Sequence, residues 1–383
     1  MKWPRNNSAN EAVLLPMASP QALSAADIAL PMRPPGLDQP FVNGAAEGPA
    51  GKIPRVSSVL TWRDSWGSIK ARWGVGRMDY AVDPGLYALG SPDAGSPVLV
   101  TANYKMSFDR LREALTGRNA WILVLNTEGI NVWCAAGKGT FGTGELVRCI
   151  VASGLKDCVR HRELILPQLG APGVSAHWVR KMSGFTVHYG PIRARDIPAY
   201  LDGGLRATPK MRRKTFSLPE RAVLIPIELV AALKPVALLV PILVLISGLG
   251  GRGAFVQNLI HDGLFSLTAL LLAILSGAVL SPLLLPWLPG RAFATKGLAV
   301  GLAAAIALLS SWGLNLKSGR DLLLGGAWLL MMPGISAFLA MNFTGASTYT
   351  SLSGVRREMR WALPVEIGAG LSGLAVLLVS RFF

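Results

Sequence analysis

Five apolar stretches of roughly bilayer length follow Pro219, and they constrain the fold more than any other feature of this sequence. They run at about Ile227–Leu249, Leu264–Leu288, Gly297–Leu314, Leu322–Met341 and Ala362–Phe383, each near the roughly 20 residues that cross a bilayer as a helix. Pro235 and Pro241 in the first, and Pro282 and Pro286 in the second, predict kinks. Only 16% of the 383 residues are charged, against about a quarter in a soluble chain, and the deficit falls almost wholly after residue 220. Mean hydropathy is correspondingly positive at +0.41. The expected organisation is a disordered extension over residues 1–76, an α/β domain over 77–218 and an all-α transmembrane domain of about five helices over 219–383.

The formal net charge of +16 raises nucleic-acid binding as a class. The basic residues instead flank apolar segments, as in Lys210, Arg212, Arg213 and Lys214, or Arg356, Arg357 and Arg360. No aromatic RNA-binding signature, zinc finger or helix-turn-helix accompanies them, so no nucleic-acid partner is expected. Their placement predicts a multi-pass protein of the inner (cytoplasmic) membrane, with lipid as its neighbour and the α/β domain in the cytoplasm. Lys2 and Arg5 have no apolar run behind them, so no secretory signal is expected. Lys234 and Glu366 fall near predicted span ends, and no inverted repeat is visible; an anchor is favoured over a transporter.

Residues 1–76 are rich in Pro, Ala, Gly and Ser without a sustained period, apart from a candidate short helix near Trp62–Trp73. Beyond Met78 the pattern alternates. Val98–Ala102, Ala120–Asn126, Glu163–Pro167 and Phe185–Tyr189 read as strands, and helical segments follow them. Such alternation predicts an α/β fold with a Rossmann-like parallel sheet, which binds ligands beyond the carboxyl ends of its strands.

The chemistry concentrates in Asn131-Val-Trp-Cys-Ala-Ala-Gly-Lys-Gly-Thr-Phe-Gly-Thr-Gly144, between a predicted strand and a predicted helix. A phosphate loop is the first possibility. A Walker A loop would need Ser or Thr after Gly137-Lys138, where Gly139 stands, and Gly where Val132 stands. Nucleotide binding is therefore weakly supported. Cys134, Cys149 and Cys158 form no C-x-x-C pair and are too few for a four-cysteine cluster.

The run Asn131–Lys138 resembles the cap-helix motif of the HgcA family, the membrane-anchored corrinoid proteins of the microbial mercury-methylation pair. Asp83–Tyr87, Ser96–Lys105 and Leu164–Gly173 resemble the corrinoid domain shared with the corrinoid iron–sulfur protein of the acetyl-CoA pathway. The residues before Gly76 lie outside the resemblance.

What the resemblance implies is a corrinoid-binding domain and a cobalamin or related corrinoid held base-off, with Cys134 as the cobalt's lower ligand and the catalytic residue. The enzyme would be a corrinoid-dependent methyltransferase passing a methyl group from methyl-Co(III) to Hg(II). A thiolate is a soft, strong donor, and trans to a methyl group it favours release toward an electrophilic metal ion. Val132, Ala135 and Ala136 complete the cap helix. Gly137 and Gly139 allow close approach of a flat macrocycle, and Asn131 can cap the segment that orients Cys134. Trp133 either packs on the corrin or belongs to the core; Lys138 meets a corrin amide or a tail phosphate, or is solvated. Thr140, with Thr101, Asn103, Asn126 and Thr127 at strand ends, would line the cofactor's path. The implied partners are a ferredoxin-like iron–sulfur protein (HgcB in that family) and a methyl donor, methyltetrahydrofolate or a methyltransferase. Two alternatives stand beside this reading: a membrane-tethered corrinoid methyl carrier in one-carbon and acetyl-CoA metabolism, and a cobalamin-sensing binding or transport protein.

Overall fold

The protein is described by a computed structural model over residues 32–249, 254–315, 317–346 and 352–382. Two compact units are present. One holds Val75–Lys214 with the described residues before Arg72, and the other holds Arg72–Gly74 and Thr215–Phe383.

The first unit is a seven-stranded sheet. Its strands are β1 (Val42–Gly48), β2 (Gly51–Val56), β3 (Gly85–Leu89), β4 (Val98–Ala102), β5 (Ala120–Leu125), β6 (Glu163–Leu166) and β7 (Thr186–Tyr189), in the spatial order β1-β2-β3-β5-β4-β6-β7. The four strands predicted from sequence, β4 to β7, run mutually parallel, with Val98 opposite Trp121 and Leu164 opposite Val187. The sheet as a whole is mixed, which corrects the all-parallel expectation: β3 runs antiparallel to β5, Gly85 opposite Val124, and β1 and β2 form an antiparallel hairpin. Strand β3 is five residues beginning at a glycine, too short for its own pattern to stand out. It still has every residue buried, because it lies between β2 and β5.

Alternate residues of β5 serve opposite faces. Trp121, Leu123 and Leu125 join one core with Leu146, Cys149 and Ile150 of helix α4 (Thr143–Ala152), while Ile122 and Val124 join the other with Phe108, Leu111 and Leu115 in and after helix α2 (Lys105–Ala114). Continuous apolar strands are what a sheet covered on both faces requires. After β5 the chain crosses over β4 to reach β6, so the winding reverses between β4 and β6.

The hairpin falls inside the segment expected to be a disordered extension, and helix α1 (Trp62–Arg72) matches the short helix expected there; residues 1–31 of that extension lie outside the described residues. The pairing of β2 with β3 holds the hairpin, and a buried charge network that composition does not reveal holds α1. Lys105 Nζ donates to Asp64 of α1 at 2.7 Å and to Asp109 at 2.6 Å. Arg112, fully buried, reaches Asp64 at 3.0 Å and Asp109 at 2.8 Å, and donates to the Ser57 and Val59 carbonyls. Burial alone would raise the Asp64 carboxyl, but its bonds to Lys105 and the Thr61 N–H override this and hold it well below the ordinary carboxylate range. Its stabilisation is thus present above the unfolded carboxyl's pKa of about 4 and lost only in strong acid. Asp64→Ala should cost about 3 kcal/mol by leaving two buried cations, Lys105 and Arg112, to share the one carboxylate of Asp109, read as faster proteolysis between Val59 and Arg77. Cleavage at the wild-type rate would contradict it.

Among the described residues, the second unit has five helices long and apolar enough to cross a membrane: Leu218–Gly248, Phe255–Leu284, Phe293–Ser311, Gly319–Asn342 and Ser353–Phe382. The last starts earlier than predicted, so Arg356, Arg357 and Arg360 lie within it and Glu366 is mid-helix rather than near an end. Small residues bring backbones together: an added Cβ at Gly301 would lie 2.6 Å from Ser336 Cβ, and Ser336 Oγ donates to the Gly297 carbonyl at 2.7 Å. At one end of the bundle Asp262 is buried between Arg320 and Arg381, and Arg381 also bonds the Ser247 carbonyl, tying four helices together.

Candidate functional site

The site is built where the chain leaves β5. Asn103, one residue beyond β4 and buried, turns its side-chain oxygen on the turn that follows β5 and accepts from the N–H groups of Thr127 and Gly129, both at 3.0 Å. The buried Thr127 hydroxyl lies 2.8 Å from the same oxygen and 2.7 Å from the Ile130 carbonyl. This holds Glu128 and Gly129 in the left-handed region, at φ 56° and 71°, a conformation that glycine accepts freely and glutamate only under constraint. Glu145, locked by Arg148 at 2.8 Å, accepts from the Asn126 N–H and fixes the turn's outer side.

The turn delivers the chain into helix α3 (Val132–Lys138). Asn131 is its N-cap, and its side-chain oxygen accepts from the Cys134 N–H at 3.0 Å. That bond satisfies a donor every helix start leaves open and fixes the backbone beneath the cysteine. The helix ends at Gly139, which takes the left-handed conformation at φ 89°. Seven residues make two faces. Val132, Ala135 and Ala136 are buried, whereas Trp133, Cys134, Gly137 and Lys138 form an exposed strip.

Beneath α3 lies the loop that follows β6. Gly170 is packed so that an added Cβ would stand 2.5 Å from the buried Phe141 ring, and at Gly173 it would fall on the Phe141 carbonyl and the Ala136 backbone. The Thr143 N–H donates to the Gly173 carbonyl, the Ser175 N–H to the Thr143 hydroxyl, and the Tyr189 hydroxyl to the Val174 carbonyl. Cys134 is therefore presented at the carboxyl edge of the parallel strands, beside the point where the winding reverses. Ligands of open α/β sheets bind at such a point. A cavity of about 670 Å³, lined by Pro97, Asn119, His161 and Glu163 among others, opens at the opposite edge, by the strands' amino ends.

The predicted residues separate into two groups. Asn131 to Thr140 are contiguous on or beside α3. Thr101, Asn103 and Thr127 are buried, and the last two are occupied by the turn beneath; they position the site rather than line its surface. Asn126 is exposed, its side-chain oxygen accepting from the Glu128 N–H. Sequence reasoning gave no individual role to Glu145, Phe141, Gly170 or Gly173, although the two glycines lie in the Leu164–Gly173 run that carries the resemblance to the corrinoid domain.

A corrinoid fits this surface in three respects. The strip is open, with nothing within 4 Å of an added Cβ at Gly137 or Gly139. Trp133 leaves 38% of its surface uncovered next to the thiol. The Thr140 hydroxyl oxygen is buried and has no hydrogen-bond partner, the condition of a group whose partner arrives with a ligand.

The thiols differ in access. Cys134 is exposed. Cys149 is buried in the core, and burial followed by the nearby Glu145 carboxylate pushes its thiol well up; Cys158 is half-buried and raised by burial and then by Asp157. Since the thiolate is the nucleophile, iodoacetamide at neutral pH should alkylate Cys134 first, Cys158 slowly and Cys149 only on unfolding. Peptide mass spectrometry checks the order, and equal labelling of Cys149 and Cys134 would refute it.

Residues 73–201 match the family model of the CO dehydrogenase/acetyl-CoA synthase delta subunit. The gamma subunit of the acetyl-CoA decarbonylase/synthase complex of Archaeoglobus fulgidus is 31% identical over 128 residues, which are 33% of this chain and 27% of that protein. The corresponding subunit of Methanothermobacter thermautotrophicus is 33% identical over 128 residues, 33% of this chain and 28% of that protein. That of Methanocaldococcus jannaschii is 36% identical over 97 residues, 25% of this chain and 20% of that protein. The α/β unit is similar to these subunits. The match takes in β3 to β7 and α3, and leaves out the β1–β2 hairpin and the five apolar helices. The chain spans about a quarter of the length of these relatives. The expected resemblance to a protein of the acetyl-CoA pathway is thus supported. These comparisons do not extend to the finer likeness, to the mercury-methylation family.

Proposed function

We propose that this chain is a membrane-anchored corrinoid protein that carries a methyl group, with the Cys134 thiolate as the lower ligand of cobalt. The observation that carries the reading is the exposed Cys134 on a capped seven-residue helix at the carboxyl edge of the sheet. When bound, the corrinoid would supply a cobalt-held methyl group, and the Cys134 thiolate would serve as its electron-donating ligand. This chain's own residues set that donor in place. Asn131 fixes the Cys134 backbone, Asn103 and Thr127 fix the turn before it, and Gly173 seats the helix from below. Thr140 offers its unpaired hydroxyl to the macrocycle's polar edge, and Trp133 offers an apolar flank.

A strong thiolate donor suits an acceptor that takes the methyl with its bonding pair, and Hg(II) is such an acceptor. A second reading, a methyl carrier of one-carbon metabolism, is favoured by the match of residues 73–201 to acetyl-CoA synthase subunits. Transfer of the methyl group to Hg(II) would call for a two-electron donor before a new methyl cation could be accepted, and the three cysteines of this chain cannot themselves hold a four-cysteine cluster, so a ferredoxin-type iron–sulfur partner is the proposed donor. The five apolar helices hold the chain in the cytoplasmic membrane, with the α/β unit on the cytoplasmic side.

The test is a single turnover of the full chain loaded with methylcobalamin, offered either a Hg(II)–thiol complex or acetyl-CoA synthase with CO and coenzyme A. Methylmercury in amounts matching the cofactor, without acetyl-CoA, supports the first reading; acetyl-CoA alone selects the second. Neither product would overturn methyl carriage, and repeated turnover without any reductant would remove the iron–sulfur partner.

A further inference from the structure

Helix α1 wears its amphipathic pattern inside out. Its docked face carries Asp64, Gly67, Ser68 and Ala71, small or charged, and an added Cβ at Gly67 would stand 2.6 Å from the Tyr80 ring. Its outward face carries Trp62, Trp66, Ile69 and Trp73, at the i, i+4, i+7, i+11 spacing of one helical stripe, with 73%, 53%, 47% and 46% of their surfaces exposed. Val75 and Met78, in the turn that follows the helix, are exposed as well, by 61% and 63%. A helix whose only neighbours were water and the sheet would bury the tryptophans and expose the aspartate. A contiguous apolar face of this kind marks an interaction surface.

Two observations say what covers it. The residues at its C-terminal end, Arg72–Gly74, belong with the helical unit, and an added Cβ at Gly74 would lie 3.2 Å from Ile227 and 3.8 Å from Val230, near the start of the first long apolar helix. The chain that follows α1 is thus part of the unit that carries the apolar helices. The flanking charge is basic: Arg63, Lys70, Arg72 and Arg77 surround the stripe, and Asp64 is buried and neutralised by Lys105 and Arg112. Tryptophan on one side and Lys/Arg beside it is the composition of a helix lying in a headgroup layer.

We propose that α1 is an interfacial helix, with its Trp62–Trp66–Ile69–Trp73 face immersed in an anionic lipid surface. The inference rests on the membrane reading given above and is independent of the cofactor. It makes the network around Asp64 a second attachment, through which the α/β unit is held to the bilayer by its own surface as well as by the chain that leads into the first long helix.

The test places the full chain in phosphatidylglycerol nanodiscs with and without brominated acyl chains. The emission of wild type minus that of W62F/W66F/W73F reports the three tryptophans of α1. That difference emission should be blue-shifted and lose most of its intensity to the bromine. In phosphatidylcholine discs, or in R63Q/K70Q, the loss should be smaller; equal quenching in both lipids would overturn the anionic preference. Unquenched emission at the wavelength of water-exposed tryptophan would overturn the proposal, and so would unquenched but blue-shifted emission, which means a protein cover. Trp361, exposed on the Ser353–Phe382 helix, is the control. If wild type minus W361F is quenched while the α1 signal is not, only this inference fails. If neither is quenched, the membrane reading fails with it.

Discussion

Cys134→Ala in the full chain, loaded with methylcobalamin, is expected to keep its fold and lose its chemistry. The side chain is exposed, and the bond that caps the helix runs through the Cys134 N–H, which alanine retains. Thermal unfolding should therefore be unchanged within error. The sulfur-ligated absorption spectrum should disappear, and methyl transfer to Hg(II) should fall by at least about a hundredfold, since loss of groups that merely orient a metal ligand already costs up to that much. Cys134→His separates ligation from donor strength: imidazole can hold cobalt but pushes less charge, so binding should return without transfer to Hg(II). Identical spectra for wild type and Cys134→Ala would remove the thiolate from the site altogether.

Gly173→Ala should have the largest effect of any change outside α3. An added Cβ there meets main-chain atoms of Phe141 and Ala136, and neither can rotate away as a side chain could. Overpacking of this kind costs about 2 kcal/mol, and relief comes from lifting α3 off its seat. Destabilisation and loss of cobalamin retention should therefore appear together. Gly137→Ala makes the contrast. Its Cβ would point into open space within a helix, so stability should rise by about 0.5–1 kcal/mol. If the exposed strip is the macrocycle's bed, cobalamin should nevertheless bind more weakly. Unaltered binding by Gly137→Ala would move the cofactor off this face, whatever Gly173→Ala does.

The legible parts of this chain were those set by local pattern. Strands β4 to β7 are apolar runs between turn signals, and the five long helices follow from length and hydropathy alone. The cap by Asn131 was readable because an Asn before an apolar run is a helix start. What escaped was non-local. Strand β3 is defined by its neighbours, β2 and β5, rather than by its own five residues. The hairpin is ordered by the pairing of β2 with β3, some thirty residues downstream, inside a stretch whose composition reads as disorder; α1, expected as a short helix there, is held in place by ion pairs to Lys105 and Arg112 that its own sequence does not announce. Asn103 and Thr127 were placed at strand ends correctly, yet their oxygens are spent on the turn below α3. Which side of a loop a polar side chain faces is decided by packing, and no spacing rule encodes it.

The segment from Asn126 to Gly142 begins at a strand buried on both faces and ends at a helix buried on one, with Asn103 gripping it at the start and Gly173 at the finish. Such a segment behaves as an interchangeable insert in a fixed socket. The grips touch main chain, so they constrain its path and leave the outward side chains free to vary. The donor atom at position 134 can therefore be exchanged without remaking the sheet beneath it. Proteins sharing this socket should then differ most in reactivity where they differ least in architecture.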